Sequence, residues 1–239
     1  MPSPPLTTSL LTPSQIPLYQ AIRHEAFTPT VNKIIYTREP APSTQARIIS
    51  EFQDSLANGD FFLGCFDSSC PSSTGDERGE MIAGAKWRWA GARDAEGKEV
   101  VGERTREAVD EEMRKKGAEP YAESDGRAWE KLFEELKGKK MGFMGRRCYY
   151  VLDTLATKTA HMGKGAGSLL IRWGVERADA IGVECYLEAN ILAVPLYERF
   201  GFQRVGSFPI DLKEFGLGEE RINFVLMIRP AKDGKEGAA

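Results

Sequence analysis

A chain of 239 residues, 41% hydrophobic and 28% charged, is long enough for one well-filled core, or one domain with an excursion from it. Its formal net charge of −3 excludes a global pull toward nucleic acid or an anionic membrane, and nothing in it approaches the roughly 18 apolar residues of a membrane span. Four cysteines in unrelated contexts (Cys65, Cys70, Cys148, Cys185) lack C-x-x-C spacing and only two histidines are present, which speaks against a disulfide framework and a zinc site. With no basic segment and apolar run at the N-terminus, the expectation is a cytoplasmic protein in a reduced compartment, with no metal.

Met1–Pro5 is a proline-rich tail, and Leu6–Leu11 reads as an edge strand. Thr12-Pro13-Ser14-Gln15 is a helix start: Thr12 caps, Pro13 suits the first turn, and Gln15 reaches back. The stripe of Ile16, Tyr19, Gln20, Ile22, Arg23 and Phe27 carries that helix to about Ala26. Thr28–Thr44, with three prolines, reads as a long loop. Ile48, Ile49, Phe52 and Leu56 give a second helix, ended by Asn58-Gly59. Phe61–Phe66 is a strand, Asp67–Gly79 a hairpin loop, and Glu80–Ala90 a strand with one apolar face of Met81, Ala83, Ala85, Trp87 and Trp89. The two tryptophans read as sheet packing.

Between Gly91 and Lys140 the composition changes: 26 of 50 residues are charged, 12 basic and 14 acidic, a mixed solvated surface and not a nucleic-acid patch. Glu99–Lys116 is weakly amphipathic. Arg127–Lys137 has a face of Trp129, Leu132, Phe133 and Leu136, with Asp125 as cap and Gly138 as stop. Two readings of this excursion stay open: a lid, wall or dimer contact, or one docked helix with the rest mobile.

The chain is organised around Tyr149–Phe202. Tyr149–Thr157 is a strand; strict alternation puts Val151, Asp153, Leu155 and Thr157 on one face. A glycine corner follows, then a helix (Ser168–Ile181) that buries Leu169, Leu170, Trp173 and Ile181, a parallel strand (Glu184–Ala189), and a short helix ending in Leu196-Tyr197-Glu198-Arg199-Phe200-Gly201-Phe202. Gln203–Leu212 and Arg221–Arg229 close the pattern as an antiparallel pair. A strand that turns through glycines into a helix leaves backbone N–H groups at the positive end of the helix dipole, which is an anion site.

Spacing sorts the possible corners. A Walker-type loop needs Ser or Thr after Gly-Lys, whereas Gly165 follows Lys164. A dinucleotide fingerprint could take Glu188 as its acid, but Ser168 stands where the third glycine or alanine belongs. Residues 162 to 167 instead resemble the acyl-CoA pyrophosphate loop of the GNAT N-acetyltransferase superfamily, Gln/Arg-x-x-Gly-x-Gly/Ala, at Gly165 and Gly167, with Met162 in the first position. The Leu196-to-Phe202 ending matches that superfamily's Leu-Tyr-x-x-x-Gly-Phe.

The resemblance implies an α/β fold of the α+β type: a mixed, mostly antiparallel sheet with two splayed central parallel strands and helices on both faces. The chain would be one domain, with 91–146 a charged, partly helical insertion and 230–239 a flexible tail. It implies acetyl-CoA as cosubstrate. The pantetheine arm would lie along Leu155, Ala156 and Thr157, and the pyrophosphate on Met162, Gly163, Lys164, Gly165, Ala166, Gly167 and Ser168. Asn190 and Tyr197 would complete the cofactor site, with His161 or Lys164 adding polarity at the loop and Tyr197 serving as acid for the departing thiolate. Asp153 and Glu188 are both candidates for the base. The partner would be an amine, small or on a peptide or protein, and the chain a monomer or homodimer. The alternatives are a non-catalytic CoA-binding protein of the same fold and, further off, a nicotinamide-dependent oxidoreductase.

Overall fold

The computed structural model describes residues 6–72, 75–115 and 119–232. Residues 1–5 and most of the tail expected at 230–239 lie outside the described residues. In chain order, β1 (Leu6–Leu10) leads into α1 (Ile16–Phe27), α2 (Asn32–Ile35) and α3 (Pro42–Ala57). The strands β2 (Phe61–Asp67) and β3 (Glu80–Ala90) form a hairpin. The charged excursion holds β4 (Ala92–Arg93), β5 (Glu99–Val100), α4 (Arg106–Lys115) and α5 (Gly126–Met144). Then come β6 (Tyr149–Thr157), α6 (Ala166–Ile181), β7 (Glu184–Asn190), α7 (Val194–Glu198), β8 (Gln203–Asp211) and β9 (Arg221–Arg229).

Seven strands make one sheet in the order β1-β2-β3-β6-β7-β9-β8. Every pairing is antiparallel except β6 with β7, where α6 crosses between parallel neighbours. This is the mixed sheet expected, with β9 inserted between β7 and β8. One face carries α6 and α7, whose Leu170, Ile171, Val175, Val194 and Tyr197 pack with Leu63, Trp87, Tyr150 and Leu187. On the other face α1 buries Ile16, Tyr19 and Ile22 beside Phe62, and α5 buries Trp129, Leu132 and Leu136 beside Tyr149, Tyr186 and Leu226.

Several boundaries differ from expectation for local reasons. The Thr28–Thr44 loop is interrupted by α2, which buries Ile34 and Ile35, and α3 begins at Pro42, since proline fits a first helical turn. In the excursion Glu99 and Val100 pair with β4, so the helix starts only at Arg106. The α5 helix runs through Gly138 to Met144 and stops at Gly145, because Lys140 and Met144 continue its buried stripe; Asp125 caps it as expected. Each large buried side chain there gains roughly 2 kcal/mol, so the excursion is held to the sheet along the whole of α5. In α6 the helix starts at Ala166, and the buried face is Leu170, Ile171, Gly174, Val175 and Ala178, while Leu169, Trp173 and Ile181 lie at its margin. The Trp87 indole lies where a Gly174 Cβ would go, which sets that face.

Strict alternation fails in β6. Lys86 pairs with Thr154 and Trp87 with Leu152, so Asp153 has no partner on β3 and forms a bulge. Beyond it Leu155 joins the α6 side and Ala156 the α1 side, so Leu155 does not share a face with Val151.

Candidate functional site

The bulge marks where the sheet opens. Parallel pairing of β6 with β7 runs from Tyr149–Glu184 to Leu152–Leu187 and ends there. Meanwhile β6 stays paired with β3 as far as Thr157, and β7 with β9 as far as Asn190. Among the described residues no ladder joins Asp153–Thr157 to Glu188–Asn190, so two strand edges face each other across a gap inside the sheet.

The glycine corner lies at the end of β6. Gly163 and Gly165 have φ of 79° and 93°, the left-handed region that glycine enters without steric cost. A Cβ at either would meet nothing within 4 Å, so the corner faces open space. Gly165 is the N-cap of α6 and supplies no capping side chain, which leaves the first N–H groups of a 16-residue helix for an anion. Gly167 is a point of convergence: its Cβ would meet Leu196 at 3.4 Å and Leu155 at 3.7 Å. The corner, the end of β6 and α7 therefore close on one spot.

Met162 is 60% exposed at this corner. Lys164 is not a free solvated side chain: its Nζ donates to Asp67 Oδ2 (3.3 Å) and lies 3.1 Å from His161 Nδ1. Asp67 ends β2 and is fully buried; hydrogen bonds from Ser69, helped by Lys164, hold its carboxyl below the usual range despite burial.

The two candidate bases sit differently. Asp153 receives Arg88 Nε at 3.0 Å and Nη2 at 3.3 Å, and Lys86 Nζ lies 3.9 Å away. Arg88 continues to Glu112 of α4 (2.9 Å), which also holds Lys140 of α5 (2.6 Å) and Arg104, while Lys86 pairs with Asp60 at 3.0 Å. Burial pushes the Asp153 carboxyl up, but the Arg88 guanidinium, with Lys86 and Lys140, outweighs it and holds the group well below the carboxylate range. Glu112 is held down in the same way by Arg88 and Lys140. Glu188 lies beyond the last β6–β7 pair and accepts the Tyr186 hydroxyl at 3.3 Å.

Tyr197 is buried in α7, its ring edge-on to Phe202 at 6.0 Å, and burial raises its phenol well above the ordinary value. Asn190 caps the turn before α7, its Oδ1 accepting from Leu192 N at 2.9 Å. The cations around Asp153 escaped the sequence reading. Lys140 is fully buried, and its signal was the spacing Leu132, Leu136, Lys140, Met144, which continues past Gly138.

The three segments without motifs meet on the Asp153 face. Ile34, Ile35 and Tyr36 pack with Trp129 and with Phe215 and Leu217. Glu123 of the excursion accepts from Ala41 N (3.1 Å) and Thr44 Oγ1 (2.7 Å), and Lys33 pairs with Glu220.

The Acetyltransferase (GNAT) family model matches residues 102–202, from within the excursion to the end of the Leu-Tyr-to-Gly-Phe segment. Solved structures of similar shape include histone acetyltransferase HPA2 and related acetyltransferase from Corynebacterium glutamicum, with TM-score 0.56, 20% identity, and 97% of this chain and 99% of that one covered. A mosquito arylalkylamine N-acetyltransferase like 5b aligns at TM-score 0.60 and 11% identity, covering 95% of this chain and 100% of that one. The Drosophila melanogaster polyamine N-acetyltransferase aligns at 0.59 and 12%, again over 95% and 100%. With the parallel pair, its opening and the corner in one place, the chain has the GNAT-superfamily acyl-CoA N-acetyltransferase fold. Among the described residues no helix is long and apolar enough to cross a membrane.

Proposed function

We propose that the protein is an acetyl-CoA-dependent N-acetyltransferase that moves acetyl directly to a primary amine of a small molecule or of a peptide or protein. The observation that carries this reading is the opening of the sheet at Leu152–Leu187 beside a helix start with no capping side chain. The residues present fit the cosubstrate: two unladdered strand edges for an extended arm, and an open glycine corner for a pyrophosphate. Acetyl-CoA supplies the activated acetyl thioester when bound.

Backbone groups of Leu155, Ala156 and Thr157 hold the arm, and the amides from Gly163 to Ser168 hold the pyrophosphate. Asn190 fixes the turn into α7 and so the place of Tyr197. The Tyr197 hydroxyl, kept protonated by burial, donates a hydrogen bond to the departing sulfur. Glu188 takes the proton of the amine, directly or through water. Asp153 stays ionised and anchors Arg88. The acceptor is shaped by the three converging segments, Thr28–Thr44, the excursion and Lys213–Glu220. Arylalkylamine and polyamine acceptors are named for the similar mosquito and Drosophila enzymes, and both are primary amines to try first. Holding amine and thioester in line supplies much of the rate, so no enzyme nucleophile is needed.

Calorimetric titration with acetyl-CoA, NADH as control and Gly165→Glu beside it, tests the reading. The wild-type chain binds acetyl-CoA and not NADH. The variant strains a φ of 93° and places a carboxylate at the corner, so its affinity falls more than about tenfold. No binding by the wild-type chain sinks the proposal. Tyr197→Phe then separates an enzyme from a CoA-binding protein: turnover falls while affinity stays.

A further inference from the structure

We propose that Asp67, Cys70 and His161, beside the glycine corner, form a binding site for a divalent transition-metal ion of the zinc class. One ligand atom from each, a carboxylate oxygen, Sγ and a ring nitrogen, lies within 4.8 Å of the others. Ligands held at about 2.0–2.3 Å around one tetrahedral ion stand roughly 3.3–3.8 Å apart, so the three atoms draw together as the ion binds. Cys70 Sγ is 3.7 Å from Asp67 Oδ2, close to the edge of that tetrahedron.

Two of the three donors, Asp67 and His161, are backed by a second group, as in built metal sites. Ser69 gives both its backbone N–H (3.0 Å) and its hydroxyl (2.6 Å) to Asp67 Oδ1, which turns Oδ2 toward Cys70 and Lys164. His161 Nε2 lies 3.5 Å from Glu80 Oε2. A proton on Nε2, facing that carboxylate, leaves the lone pair on Nδ1, the nitrogen that faces the same space as Asp67 Oδ2.

That space already attracts a cation. The Lys164 ammonium lies 3.3 Å from Asp67 Oδ2 and 3.1 Å from His161 Nδ1, at the end of a side chain 38% exposed and so able to leave. A metal ion takes its place, the Cys70 thiol gives its proton to solvent as Sγ ligates, and Lys164 is released toward the corner. Carboxylate and thiolate together balance two positive charges, which the ammonium does not. The mixed O, N and S donors suit zinc more than magnesium or calcium. The ligands come from the end of β2, the hairpin loop and the turn after β6, so no zinc-type spacing announces them.

Titration of the chelator-treated protein with Co2+, followed by absorbance, tests this without any assay of activity. One equivalent gives visible bands of a tetrahedral ion and a near-ultraviolet thiolate-to-cobalt band. Cys70→Ser removes the thiolate band; its side chain is only partly buried, and circular dichroism checks the fold. Glu80→Gln, which leaves all three ligands in place, weakens binding roughly 10- to 100-fold. Lys164→Met, which removes the competing ammonium, tightens it. The absence of a one-to-one complex overturns the site. A thiolate band that survives Cys70→Ser does so too, since it would come from another cysteine such as Cys148. Unchanged affinity in both Glu80→Gln and Lys164→Met would equally reject it.

Discussion

Two carboxylates flank the opening in the sheet, and they keep different partners. Asp153 is answered by Arg88 and Lys86 and is held ionised well below neutral pH, which makes it a poor acceptor for an amine proton. Glu188 receives the Tyr186 hydroxyl beyond the last parallel pair. We expect Glu188→Gln to lower kcat at least about 100-fold with acetyl-CoA affinity retained. Asp153→Asn acts mainly on stability, since it leaves Arg88 short of its partner, at a cost of roughly 3 kcal/mol. Thiol-release kinetics and thermal melts on both variants decide it; the opposite pattern would assign the base to Asp153. At this scale the sequence marked the glycines, Tyr197 and both carboxylates as candidates. It did not show what surrounds Asp153, because Arg88, Glu112 and Lys140 reach it through strand register and helix docking.

Among the elements, glycines separate helix interior from helix contact. Gly138 and Gly142 lie in α5, where an added Cβ would meet nothing within 4 Å. Each replaced by Ala should stabilise the protein by roughly 0.5–1 kcal/mol, by restricting the unfolded chain. Gly174→Ala should instead cost roughly 1–3 kcal/mol, because its methyl would collide with the Trp87 ring. Melting temperatures of the three variants test this; a loss on Gly138→Ala would mean that α5 is not helical there. The seven strands of the main sheet were legible almost to the residue, Glu80–Ala90 and Arg221–Arg229 among them, because turn residues bound them, whereas the short β4–β5 pair was not. The end of α5 was not, since Gly138 resembles a stop until the apolar spacing beyond it is weighed. The bulge at Asp153 leaves no mark in the alternation of a strand whose two faces are both covered.

For the molecule as a whole, pairing of charge sets acid tolerance. Arg78 holds Asp76 at about 2, and cations hold Asp153 and Glu112 low in spite of burial. Groups depressed on folding add stability that is complete above their unfolded values, about 4, and is lost as pH falls toward the folded ones. The melting temperature should therefore hold from neutrality to about pH 5 as far as these groups are concerned, then fall below about pH 4. The difference between wild type and Asp153→Asn should shrink over the same range; calorimetry from pH 3 to 8 measures both, and a flat profile to pH 3 would contradict the pairing. The order of the main-sheet strands and of the long helices followed from periodicity and turns. How the excursion is held did not, because a run of mixed charge says nothing of which charges find partners inside.

The opening between β6 and β7 also bears on how the chain avoids its own kind. Strand edges inside a sheet invite a strand from a neighbouring molecule, and proteins blunt such edges with bulges and inward charges. Asp153 is both at once: the extra residue in β6 and an ionised carboxylate, placed where the gap begins. A regular, neutral strand there would offer Asp153–Thr157 as a template for intermolecular pairing and aggregation. The carboxylate that Arg88 and Lys86 hold ionised thus lies where a strand from a neighbouring molecule would have to begin pairing.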